Sequence, residues 1–177
     1  MTKSKVYFTD FRTKARGDGM PTKLKKLMLK AGIGDIDMDG KFVAIKMHFG
    51  ERGNLSFLRP NYARAVVDVI RELGGKPYLT DCNTLYIGGR TNALDHIESA
   101  YQNGFNPYNT GCHILIADGL KGNDEVEVPV AGGEHVKAIV KRHEIMQSVR
   151  HLFGGANMYV GVELRKELPF KYIPTSV

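Results

Sequence analysis

KFVAIKMHFGERGNLSFLRPNYARAVVDVIRELGGKPYLTD, residues 41–81, decides the fold. Phe42 to Phe49 is almost continuously apolar, which predicts a strand buried on both faces, as in a parallel sheet. A short glycine-containing loop, GERGN, follows. Pro60 then suits the first position of a helix, where its missing N–H costs nothing. Tyr62, Val66, Val69, Ile70 and Leu73 recur at helical spacing, and Gly74–Gly75 supply the stop. Pro77 to Asp81 is a second strand. A strand, a helix and a second strand in succession form a right-handed crossover between parallel neighbours.

The same alternation extends in both directions. On the N-terminal side, Lys5 to Phe11 (KVYFTDF) reads as a strand. Pro21 opens a helix with Leu24, Leu27, Met28 and Ala31 on one side and Lys23, Lys25, Lys26 and Lys30 on the other; Gly32 ends it. On the C-terminal side, Thr91 caps a helix carrying Leu94, Ile97, Ala100 and Tyr101 inward, and Gly104 ends it. His113 to Ala117 is a further buried-type strand. Beyond it the period changes to two. Val126, Val128 and Val130 alternate, Ala131–Gly132–Gly133 turn, and Val136, Ala138 and Val140 alternate again. A helix is expected from about Lys141 to Val149, and alternation returns at Met158, Val160, Val162 and Leu164. The expected architecture is α/β: a mostly parallel layered sheet with helices on both faces and an appended β-hairpin. Residues 1–141 form the α/β domain with its hairpin, and 142–177 a divergent C-terminal extension.

Composition agrees with a folded chain. Of 177 residues, 42% are hydrophobic and 25% charged, a balance that excludes disorder and collagen-like repeats. The N-terminus goes straight from charge into a strand-like run, unlike a signal peptide, and no apolar run reaches 18 residues, so a cytoplasmic protein without a membrane span is expected. Two cysteines, Cys82 and Cys112, cannot hold a thiolate zinc site or an iron–sulfur cluster. The net charge of +6 permits acidic partners. The lysine side of the first helix lacks interleaved aromatics, so nucleic acid is not expected as a partner.

In open α/β sheets ligands bind beyond the carboxyl ends of the strands. Three polar clusters fall there. The first holds His48, Gly50, Arg52, Gly53 and Asn54, with glycines for close backbone approach and an arginine suited to a bidentate oxyanion contact. It matches neither a Walker A loop nor a dinucleotide loop. Its bland alternative is a tight turn with an exposed arginine. The second holds Asp81, Asn83 and Thr84, then Arg90 and Asn92; Asp81 is either part of a site or the anchor of an Asx turn. The third is Asp118 with Gly119. His48 and His96 are weak candidates for acid–base catalysis. Asp95 is no partner for its neighbour His96, because adjacent helical residues do not face each other. Cys82 beside Asp81 lies in an acidic setting that raises a thiol's pKa. His135, His143 and His151 are eight apart, the wrong spacing for a helical metal pair, and no metal site is expected.

The runs KFVAIKMHFGERGN…TDCNTLY, GGRTNALDHIESAYQNGF (88–105) and HILIADGLKGNDEVEV (113–128), in that order, resemble the domain-of-unknown-function 362 (DUF362) family over about Lys5 to Lys141. The resemblance implies an uncharacterised protein of an iron–sulfur, ferredoxin-associated kind. Fuller relatives continue with an HFKGH-like motif, a GFGG-containing segment and two cysteine-rich cluster motifs. Here the chain reads HLFGGAN (151–157) instead, and the cluster cysteines are absent. The resemblance therefore implies the N-terminal portion of such a protein, truncated or altered at its end, with no iron–sulfur cofactor in this chain. A separate ferredoxin-like redox partner and a small anionic ligand at the loop edge are the expectations. A non-catalytic interaction module and a small hydrolase or isomerase using His48 or His96 with Asp81 are the alternatives.

Overall fold

A computed structural model describes residues 5–13, 16–84, 86–124, 126–130, 138–142, 149–155 and 158–163. Phe42–Met47 (β1) lies centrally in a five-stranded sheet. Lys76–Asp81 (β2) pairs with it in parallel, Ile45 opposite Leu79, and Ile114–Ile116 (β3) pairs in parallel with β2. On the other side of β1 the direction reverses. Met158–Glu163 (β7) runs antiparallel to β1, and Val149–Gly155 (β6) antiparallel to β7. The fold is α/β, with three parallel strands carrying the βα loops.

Pro60–Glu72 (α2) is the crossover from β1 to β2. Its stop is local chemistry. Gly74 takes φ +80°, and the Gly74 and Gly75 amides donate to Arg71 O and Ile70 O. That left-handed turn suits glycine, and a Cβ at Gly74 would also run into the Asp39 side chain. Met20–Lys30 (α1) packs on α2, and α2 packs on β2 and on Pro107–Thr110 (α4). Lys25 reaches from α1 to Asp68 of α2 at 3.0 Å.

The core follows the strand period. Val43, Ile45, Met47 and Phe49 share one face of β1 and its continuation, and all are fully buried. They form one cluster with Val66, Val67 and Ile70 of α2, Met28 of α1, and Ala100 of Ala93–Gln102 (α3). Helices were expected on both faces. α1, α2 and α3 contribute to this one cluster, and buried Ala44 and Thr80 show that the opposite face is covered too.

Three expectations are corrected. Lys5–Phe11 joins neither sheet, and Val6, Phe8 and Phe11 stand exposed. A β-rich composition makes a strand only where an edge accepts it. The segment is tied to α1 instead, through the Lys23 ammonium, which donates to Asp10 Oδ1 and to the carbonyls of Asp10 and Arg12. The helix expected from Lys141 to Val149 is replaced at both ends by strand, Ala138–Arg142 (β5) and β6. Its interior, 143–148, lies outside the described residues. In α3 the buried residues are His96, Ser99 and Ala100, while Leu94 and Tyr101 are exposed, and the cap is Asn92 rather than Thr91. Val126–Val130 (β4) pairs antiparallel with β5 as a separate two-stranded sheet. The turn expected at Ala131–Gly133 lies outside the described residues.

Candidate functional site

The parallel strands aim the ends of β1, β2 and β3 at one edge, and the three polar clusters meet there. Asp81 ends β2 and is buried. Its Oδ1 accepts from the Cys82 amide at 2.9 Å and lies 3.2 Å from Lys46 Nζ. Its Oδ2 lies 3.6 Å from Arg90 Nη1 and 3.7 Å from His96 Nε2. Burial pushes the Asp81 carboxyl pKa up. The His96 imidazole, the Lys46 ammonium and the Cys82 N–H together outweigh that push and hold it below the usual carboxylate value. Asp81 is thus a fixed anion ringed by donors, which the local Asx-turn reading describes only through its Cys82 contact.

Arg90 joins the second cluster to the first. Its guanidinium is buried and donates through Nε to Glu51 Oε1 at 2.9 Å, with Nη2 bonding the same oxygen. Tyr86 Oη donates to Glu51 Oε1 at 2.8 Å and accepts from Arg90 Nη2 at 2.6 Å. The Arg90 bonds set Glu51 below its ordinary pKa, against a smaller opposing effect of burial. The exposed Arg52 side chain lies across Gly89; a Cβ there would sit 3.4 Å from Arg52 Nε. No ion pair holds Arg52 among the described residues.

Asn83 joins the second cluster to the third. Its amide N–H donates to both Asp118 oxygens, at 3.0 and 2.9 Å, and its Nδ2 donates to Asp118 Oδ1 and Gly119 O. Asp118 thereby locks the β2 and β3 ends together. Thr84 donates its N–H to Arg90 O. Asn92 caps α3, its Oδ1 accepting from the Asp95 amide and its Nδ2 donating to the Asp95 carboxylate. Asn54 accepts from the Ser56 amide in an exposed turn with Gly53. These two asparagines therefore serve local turns and a cap.

His48 follows β1 and is half-buried. Its Nδ1 accepts the Gly50 N–H at 2.9 Å, which requires that nitrogen to be unprotonated. Gly50 takes φ +83°, and a Cβ there would come within 2.5 Å of the Phe57 ring. Burial first, then the Arg90 charge, push the His48 pKa below its ordinary 6.5, while Asp81 and Glu51 oppose. The neutral form therefore contributes stability that is complete above pH 6.5 and is lost as pH falls toward the folded-state value. Melting temperature is expected to drop more steeply below pH 6.5 in the native chain than in His48→Gln. Parallel pH profiles for the two would contradict this.

His96 is fully buried, and neither ring nitrogen has a hydrogen-bond partner among the described residues. Its ring packs edge-on against Phe49, centroids 5.6 Å apart. The charged group facing it is Asp81, fifteen residues earlier, with which the hydrolase or isomerase alternative pairs it. Lys46 and Tyr86 are not singled out as site residues by the sequence reading, and Glu51 stands in the first cluster's run without a role of its own. Lys46 carried a signal, as the one charge in an apolar strand. Cys82 is pushed up to about 12, by burial and then by Asp118 and Asp81, and is a poor nucleophile. Among the described residues no group of three His, Cys, Asp or Glu is arranged to hold a metal, and no helix is long and apolar enough to cross a membrane.

Residues 43–151 match the family model described as a domain of unknown function, DUF362. The chain belongs to the DUF362 family. The matched span begins at β1 and contains all three loop clusters. No curated protein and no solved structure matches the chain. An iron–sulfur cluster takes about four thiolates. Here Cys82 follows the carboxyl end of β2 while Cys112 precedes the amino end of β3, which places the two thiols at opposite ends of parallel strands.

Proposed function

We propose that this DUF362 chain binds a small anionic ligand, a phosphate or carboxylate, at the edge shared by the β1, β2 and β3 loops. The observation that carries the reading is Arg52: an exposed guanidinium with no ion-pair partner among the described residues, lying over Gly89 beside the buried Arg90. Asp81 and Glu51 engage Lys46 and Arg90, so Arg52 is the cation left to face an incoming anion. The family resemblance supports a wider role as the ligand-binding part of a ferredoxin-linked redox protein, its clusters carried by a separate partner.

Isothermal titration with inorganic phosphate and with succinate at low salt tests the reading. The native chain is expected to bind at least one of them, and Arg52→Ala to bind it about tenfold more weakly, the worth of one charge-assisted contact. Arg52 is exposed, so its removal should leave the melting temperature unchanged. Absence of binding to either probe by the native chain and by variants of the site alike, or binding that ignores Arg52→Ala, overturns the proposal.

A further inference from the structure

We propose that the Glu51 carboxylate occupies the outer edge of the Arg90 guanidinium in place of a ligand's oxyanion, so that the ligand binds by displacing Glu51. This rests on the anion-binding reading above and adds how that site is controlled.

Arg90 has two different edges. Its Nη1 faces Asp81, a carboxylate fixed at a strand end, buried, and held also by the Cys82 amide. Its Nε and Nη2 face Glu51, whose side chain is 34% exposed and belongs to the β1–α2 loop between Gly50 and Gly53. The Asp81 edge is part of the frame; the Glu51 edge opens to solvent.

The Glu51 contact is also incomplete. Arginine and a carboxylate pair best as two parallel N–H···O bonds, one to each oxygen. Here Nε, Nη2 and the Tyr86 hydroxyl all converge on Oε1, and Oε2 accepts no hydrogen bond among the described residues. A phosphate or carboxylate arriving at this edge would offer one oxygen to Nε and another to Nη2. It would also meet Arg52, whose side chain lies across Gly89, the residue before Arg90. Glu51, tethered in its loop, makes no ion pair with Arg52. The incoming anion therefore gains a second guanidinium that Glu51 does not use.

Glu51→Gln keeps the size and an acceptor oxygen but removes the competing charge. Its affinity for inorganic phosphate or succinate is expected to rise about tenfold over the native chain, since a charge-assisted bond is roughly twice as strong as a neutral one. Tyr86→Phe, which removes a donor to Glu51, should raise affinity by about twofold to threefold and serves if Glu51→Gln melts too low to titrate. If the native chain binds and Arg52→Ala weakens binding, yet Glu51→Gln and Tyr86→Phe bind no more tightly, the displacement proposal fails alone. If no variant binds either anion, the anion reading fails and takes this one with it. Binding by Glu51→Gln where the native chain shows none would support both.

Discussion

Asp81→Ala is expected to destabilise the folded chain by about 3 kcal/mol, the lower end of the cost of breaking a buried ion pair from one side. The reason lies in what stays behind. Arg90 is 3% exposed, and without Asp81 its Nη1 edge loses its facing anion. The Cys82 amide loses its acceptor, and His96 loses the carboxylate beside its Nε2. Arg90 keeps Glu51, which is why the lower figure applies. For a chain of this length that corresponds to a melting temperature lower by roughly 6–12 °C. Asp81→Asn, which retains an acceptor, should cost less. A calorimetric scan of the three proteins decides the matter. An Asp81→Ala chain as stable as the native one would mean that the carboxylate and its cations are worth no more together than apart. The sign with pH follows from the same contacts: the stability that Asp81 adds is present above the usual carboxylate range and lost as acid protonates it below its lowered pKa.

Phe49→Ala should be at least as damaging, at about 3–5 kcal/mol. Phe49 is fully buried. Its ring meets Phe105 at 5.4 Å and His96 at 5.6 Å between centroids, and Phe105 in turn meets Phe57 at 5.8 Å. The Asn103 side chain also donates to the Phe49 carbonyl at 2.9 Å. Removing the ring leaves a cavity between the β1 loop and α3, directly behind His48 and Gly50. Urea unfolding measures the loss, and Phe49→Leu should recover much of it by refilling the volume. If Phe49→Ala unfolds at the native midpoint, the loop does not depend on this aromatic cluster. If anion binding is retained while stability falls, the cluster supports the fold without shaping the ligand edge.

What could be read in advance was local. The apolar run of β1, the stripe of α2, Pro60 and Gly74 are signals within a few residues of what they cause, and the structure places strand, helix and stop where those signals stand. The convergence of the three clusters followed from topology once two parallel crossovers were recognised. The pairings inside the site were not legible. Glu51 meets Arg90 across 39 positions and Asn83 meets Asp118 across 35, and no spacing rule connects them. The inward face of α3 was misread because Leu94 and Tyr101 are the apolar choices by composition. The helix turns its polar His96 and Ser99 inward, where Asp81 and Phe49 lie. Lys5–Phe11 was misread for the complementary reason. Its composition suits a strand, but strand formation is decided by an edge elsewhere in the molecule.

The position of β1 bears on how the chain is made. Lys76–Asp81 covers one side of β1 soon after β1 itself is synthesised. The other side waits for Met158–Glu163, with Met158 opposite Met47 and Val162 opposite Val43. Throughout that interval the central strand of the finished sheet is an edge on the nascent chain, with a row of bare N–H and C=O groups that any other strand can copy. Lys46 is the single charge along that edge, and while the edge is bare it discourages copying by another strand, besides facing Asp81 in the finished fold.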